Sequence, residues 1–320
     1  MTDCFVATFY QFVPLDDHVD LRDRIEARCQ DLGLRGIILL ATEGINATVS
    51  GTRPSVLELL DFLKSDPRLA DLTWKESSSP GHPFRKLRVR LKKEIVTMGV
   101  PGVDPARLVG TYVAPKDWNA LLADPDVILV DTRNDYEVEI GTFHNAVNPN
   151  IRTFRELPAW CENNIDAGKK PKVAMFCTGG IRCEKSTAYL KESGVEEVYH
   201  LEGGILKYLE EIPAEDSLWE GQCFVFDERV SVGQDLEVGE YDLCRGCRRP
   251  LSEADTQSEH YVRGVSCHRC VNEITPEQKA GFAERQRQMD FLQSAEQGDL
   301  AGGQKLGLLP LGPDSGSRPR

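Results

Sequence analysis

Two hydrophobic periods alternate through the first hundred residues. CFVATFYQFV (4–13) is aromatic and β-branched, as strands are, and from Asp17 to Leu32 the apolar Val19, Leu21, Ile25 and Leu32 recur near helical spacing. LRGIILLA and GINATVSG then read as two strands joined around Glu43 and Gly44. RPSVLELLDFLKSD, with Pro54 in its first turn and Val56, Leu59, Leu60 and Leu63 on one face, predicts a second helix. LTWKES and LRVRLKKEIV close the run as further strands. The order β-α-β-β-α-β predicts a ferredoxin-like (acylphosphatase-like) α+β domain over residues 1–98.

MGVPGVDP is punctuated by glycine and proline and sets a linker over 99–111. VILVDTR (127–133) and KVAMFCT (172–178) are short apolar runs ending in polar loops, as buried parallel strands are, and helical and strand signals alternate around them. Residues 112–220 therefore predict a parallel α/β domain whose functional loops lie at the carboxyl ends of its strands. From 221 the pattern loosens into a cysteine-rich module extending to 275. Residues 276–320 predict a helix capped by Thr275, with Pro276 first, and then a disordered Gly, Pro and Ser-rich tail, GGQKLGLLPLGPDSGSRPR.

Composition narrows the function classes. The 320 residues are 40% hydrophobic and 28% charged, as in ordinary soluble proteins, and the net charge of -13 opposes non-specific coating of nucleic acid. Any nucleic-acid contact must be a local basic patch. The opening MTDCFVATFYQFVPLDD has no basic segment before an apolar core, and no stretch approaches the roughly 18 apolar residues of a membrane span. The expectation is a cytoplasmic protein with no membrane partner and an oligomeric state left open. In that reducing compartment the ten cysteines read as core filler, metal ligands or reactive thiols.

Spacing separates those roles. Cys177 stands where an apolar strand ends, followed by Thr178, Gly179, Gly180, Ile181 and Arg182 at the start of a helix. Paired glycines let successive N–H groups curl inward, and that nest with a helix N-terminus and an arginine is an anion site that lowers a thiol's pKa. Cys177 is thus a candidate nucleophile. Asp131 and Arg133 end the neighbouring strand, either lining the pocket or serving structure, with Asp131 capping backbone N–H groups and Arg133 pairing with Glu137. Cys183 reads as packed and inert, and Cys4, Cys29, Cys161 and Cys223 as packing.

CTGGIR resembles the C-x-x-G-x-R active loop of rhodanese domains, and VDTRNDYEVEIGTFHNAVN resembles their upstream signature through Asp131, Arg133, Glu137, Gly141 and Ala146. LEGGI (201–205) matches their later glycine pair. Many rhodaneses have histidine where this chain has Thr142, so no role is carried onto that position. The resemblance implies a rhodanese-like fold over about 112–215 and a cysteine that carries sulfane sulfur as a persulfide.

Taken with EGINATVSG in the first domain and FAERQRQM after the cysteine pairs, the chain resembles the bacterial tRNA uridine hydroxylase family. That resemblance implies an oxygen-dependent hydroxylation of the tRNA wobble uridine to 5-hydroxyuridine, with Cys177 catalytic, molecular oxygen as co-substrate and the tRNA anticodon region as partner. A sulfurtransferase passing persulfide sulfur to tRNA or a small thiol is the alternative, and a non-catalytic binding protein a second. No flavin, heme or nucleotide motif is visible.

Two features bear on an RNA partner and a metal. FRKLRVRLKKE places Arg88, Arg90 and Lys92 on one strand face opposite Leu87, Val89 and Leu91, and Arg85, Lys86 and Lys93 extend the candidate RNA-contacting patch. Cys244, Cys247, Cys267 and Cys270 form C-x2-C-x19-C-x2-C, a ribbon-like spacing suited to structural zinc, with a redox-active pair as the rival reading. Arg245, Arg248, Arg249 and Arg269 surround it and could touch RNA, while His260 and His268 read as loop residues.

Overall fold

The structure is a computed structural model that describes residues 4–302, with side chains to residue 291. Apart from Gly302, the expected disordered tail lies outside the described residues. Contacts divide the chain into a large unit, the residues up to Leu243 with Arg249–Glu253, and a small one, Cys244–Arg248 with the residues from Ala254 on.

In the large unit the chain first forms β1 (Cys4–Phe12), α1 (His18–Asp31), β2 (Arg35–Ala41), β3 (Gly44–Gly51), α2 (Arg53–Lys64), β4 (Trp74–Ser79) and β5 (Leu87–Leu91). The sheet order is β4-β1-β3-β2-β5, antiparallel except that β5 lies parallel to β2. The first four strands are the expected ferredoxin-like arrangement, and β5 adds a fifth at the edge. Ile25, Cys29, Val56, Leu59 and Leu63 of the two helices pack onto Phe9, Ile38, Ala47 and Val49 of the sheet. Two apolar positions depart from the sequence pattern: Val19 and Leu91 are exposed. LRVRLKKEIV stops being a strand at Leu91 because Glu43 accepts the Ile95 N–H at 2.6 Å and Ile95 itself is buried, which draws the chain off the sheet.

The second half of the unit runs β6 (Thr111–Val113), α3 (Pro115–Leu122), β7 (Val127–Asp131), α4 (Asp135–Val138), β8 (Gly141–Phe143), α5 (Leu157–Asn164), β9 (Lys172–Phe176), α6 (Ile181–Glu192), β10 (Glu197–Leu201) and α7 (Gly204–Glu211). Strands β6-β10-β9-β7 make a parallel sheet that begins at Thr111, inside the stretch read as linker. The central β9 is apolar on both faces because both are covered: Val173 and Met175 join one core cluster, Ala174 and Phe176 another.

The sequence assigns residues from 221 to a cysteine-rich module, but the structure places them up to Leu243 with the large unit. The reason is packing. Strand β11 (Trp219–Gly221) pairs with β8, Trp219 stands edge-on to Phe143 at 5.2 Å, and Cys223, Val225 and Val232 fill the same cluster as Phe176.

Candidate active site

Cys177 follows β9 and the loop 178–180 delivers the chain into α6. Gly180 adopts a positive φ of 102° and its N–H donates to the Cys177 sulfur at 3.1 Å, the inward curl that the paired glycines predict. The turn after β10 clamps the loop from behind. Ile205 and Leu206 N–H groups donate to the Cys177 and Thr178 carbonyls, and a Cβ on Gly204 would fall 2.5 Å from the Cys177 oxygen.

Cys177 as a residue is 1% exposed. Burial pushes its thiol up, but a hydrogen bond from the Cys183 thiol, the Arg182 charge and the N–H groups of Cys183 and Gly180 outweigh it and bring it down to about 6. At neutral pH Cys177 is therefore a thiolate. Cys183, which the sequence assigns to inert packing, is indeed buried, and burial, followed by its hydrogen bond to Cys177 and the Cys177 charge, pushes it well up. It stays a thiol and serves as a donor to the thiolate beside it.

The arginines divide differently from the sequence reading. Arg133 pairs with Asp131 at 2.6 Å, not with the Glu137 carboxylate, and reaches only the Glu137 carbonyl at 3.2 Å. Asp131 does cap the Arg133 N–H, and it also accepts from Thr142 at 2.8 Å. Both members of the pair are fully buried, so they serve structure and do not line a pocket. Glu137 instead receives Arg182 through both guanidinium nitrogens at 2.6 and 2.8 Å. The loop's own cation is thus already matched by a fully buried carboxylate.

Three residues from outside the loop approach it that sequence reasoning missed. Tyr10 of β1 donates to Glu184 at 2.8 Å, Tyr112 of β6 bonds the same carboxylate, and Lys75 of β4 donates to the Gly179 carbonyl at 2.8 Å. Burial raises Glu184, and the two tyrosine hydroxyls only partly offset it. These groups line a cavity of about 970 Å³ between β1 and β4 on one side and Glu184 of α6 with Lys207, Glu210 and Glu211 of α7 on the other; residues 177–182 are not part of its lining. Six carboxylates and two lysines border the cavity, a lining that disfavours an anionic group such as a phosphate. Next to Glu184, Lys185 is buried between Glu43 at 2.8 Å and Glu94 at 2.6 Å. Consecutive residues of α6 thereby tie the cysteine loop to the ferredoxin-like domain. Position 184, two past the loop arginine, was the one visible signal; the partners lie up to 174 residues away.

Arg88, Arg90, Lys92 and Lys93 are exposed, and among the described residues none of the four makes an ion pair. Arg85 pairs with Glu228 at 3.5 Å. The patch sits on the sheet edge opposite β4, four strand spacings or about 19 Å from the cavity edge. In the small unit the sulfurs of Cys244, Cys247, Cys267 and Cys270 all lie within 4.8 Å of one another. His260 and His268 are outside that group, and Arg249 is held by Asp135 and Glu139, both at 2.9 Å.

Comparison with known proteins matches two stretches of the chain. Residues 4–95 match the family described as UPF0176 acylphosphatase like domain, and 114–211 match the rhodanese-like domain. A rhodanese-like domain protein from Staphylococcus aureus is 26% identical, over 31% of this chain and 90% of its own, with a TM-score of 0.27. A protein named tRNA uridine(34) hydroxylase from Teredinibacter turnerae is 56% identical over 300 residues, 94% of this chain and 93% of its own. Another of that name from Acaryochloris marina is 56% identical over 297 residues, 93% of this chain and 96% of its own. With such identity along nearly its whole length, the chain belongs to the tRNA uridine(34) hydroxylase family.

Proposed function

We propose that the chain hydroxylates uridine 34 of tRNA in an oxygen-dependent reaction that yields 5-hydroxyuridine, with Cys177 as the reacting group. The observation that carries this reading is a buried thiolate held by the Gly180 and Cys183 N–H groups and the Cys183 thiol, in a chain of this family. Molecular oxygen is the co-substrate. The loop N–H groups of residues 178–182 and Arg182 steady negative charge on the sulfur or on a group bound to it. The acidic cavity takes the base, and the phosphates of the anticodon region lie along the basic strand with Arg85, Lys86, Arg88, Arg90, Lys92 and Lys93. A tRNA substrate also accords with a cytoplasmic location.

Cys244, Cys247, Cys267 and Cys270 fit a structural zinc ion. Sulfur pairs 244/270, 247/267 and 267/270 are each 3.8 Å apart, and a tetrahedral site with Zn–S near 2.3 Å places its sulfurs about 3.8 Å apart. Disulfides would need about 2.05 Å. The ion would cross-link the two cysteine pairs of the segment.

The test is nucleoside mass spectrometry of tRNA from cells carrying Cys177→Ser in place of the wild-type chain. Loss of 5-hydroxyuridine and its derivatives supports the proposal. Loss of a thiolated nucleoside instead identifies a sulfurtransferase, and an unchanged nucleoside profile with tRNA binding retained identifies a non-catalytic binding protein.

A further inference from the structure

Lys75 belongs to the ferredoxin-like domain, yet its Nζ donates to the Gly179 carbonyl at 2.8 Å. That carbonyl and the Gly180 N–H are two ends of one planar peptide unit, and the N–H end donates to the Cys177 sulfur at 3.1 Å. An ammonium on the oxygen fixes the plane of that peptide and polarises it, which strengthens the hydrogen bond at its other end. Lys75 therefore touches the thiolate through a single rigid group.

The charges nearby give it a second effect. Arg182 is matched by Glu137, Arg133 by Asp131, Lys185 by Glu43 and Glu94, and Lys207 by Glu202. Among the described residues Lys75 makes no ion pair. It is surrounded by Tyr10 of β1, whose ring centre is 5.6 Å from Nζ, by Glu184 of α6, by Lys207 and Glu210 of α7, and by Cys177. Burial pulls the Lys75 ammonium down, and the Cys177 charge leads the groups that hold it up.

We infer that Lys75 is a positioning residue for Cys177, supplied by the neighbouring domain: it fixes and polarises the 179–180 peptide so that the N–H stays on the sulfur, and it brings the site an unmatched positive charge. The cysteine site is accordingly completed by the ferredoxin-like domain. The inference rests on the reading of Cys177 as the reacting group.

Thiolate absorbance at 240 nm, titrated in the full-length protein and referenced to the same background with Cys177→Ser, reads the sulfur directly and needs no tRNA. Lys75→Met is expected to raise the Cys177 midpoint by about one pH unit, a roughly tenfold loss of thiolate at pH below the midpoint. Lys75→Arg should restore most of it, and Lys75→Gln, which can still donate to the Gly179 carbonyl but carries no charge, should fall between. Wild-type midpoints in Lys75→Met and Lys75→Gln would overturn the inference; should Lys75→Met fail to fold, Lys75→Gln against Lys75→Arg decides alone. If the wild-type chain makes no 5-hydroxyuridine while the midpoint still moves, the hydroxylase reading fails and the role of Lys75 stands.

Discussion

Replacing Glu137 by glutamine removes one negative charge and leaves the shape of the side chain almost unchanged. Glu137 is fully buried, receives both guanidinium nitrogens of Arg182, and accepts the Asn134 N–H at 3.1 Å through Oε2. An amide oxygen can keep one of these bonds, but its NH2 group faces a guanidinium and cannot accept. The result is a nine-tenths buried arginine without a counter-charge, the situation in which breaking a buried pair costs about 3–5 kcal/mol. Retention of one bond places Glu137→Gln near the lower end, about 3 kcal/mol, which for a unit of this size lowers the melting temperature by about 6–12 °C. The second effect has the opposite sign for the site. Arg182 helps hold Cys177 down, and freed of Glu137 it should move the Cys177 midpoint below its present value of about 6. Thermal melting by circular dichroism and the 240 nm titration measure both. Pairing Glu137→Leu with Arg182→Met, which removes both charges, should recover most of the lost stability. A melting point within about 2 °C of wild type and an unmoved thiolate midpoint would show that the pair has no such role.

Three more expectations follow from the same geometry. An unfolded thiol ionises near 8.5 and Cys177 near 6, so the contribution of the thiolate to stability is fully present above about 8.5 and is lost as pH falls through 6; denaturant unfolding of wild type against Cys177→Ser should therefore diverge between pH 6 and 8.5, and parallel curves would refute it. Reversing Arg88, Arg90 and Lys92 to glutamate should weaken tRNA binding and reduce the slope of log K against log salt by about two to three, whereas an unaltered affinity removes the strand from the interface. Metal analysis of protein kept reduced should find about one zinc per chain and none after Cys267→Ser, and a strong chelator should lower the stability of the small unit without changing the Cys177 titration.

Short-range pattern was enough to identify most of the architecture and the loop that carries the candidate nucleophile. Alternation in CFVATFYQF, the apolar face of RPSVLELLDFLK and the doubly buried KVAMF each express one local period, and local periods are written in the sequence. CTGGIR is likewise a local device, because the glycine curl and the helix that follows need only adjacent residues. Pairing is a different matter. Whether Arg133 takes Asp131 or Glu137 depends on which carboxylate its fork can meet once β7 and α4 are placed, and spacing alone favoured the wrong one. Residues 221–243 have little periodicity, yet Cys223, Val225 and Val232 fill a core assembled from β8 and β9, so only packing shows where they belong. Lys75 lies 104 residues from the Gly179 carbonyl it binds, and nothing near LTWKES marks it. By itself the sequence determined the elements, the glycine curl of the cysteine loop and the two C-x2-C pairs, because each depends on near neighbours. The tertiary structure alone decided which charges are matched and which group from the other domain reaches the cysteine loop, because a charge interacts with whatever lies within a few ångströms, however distant along the chain.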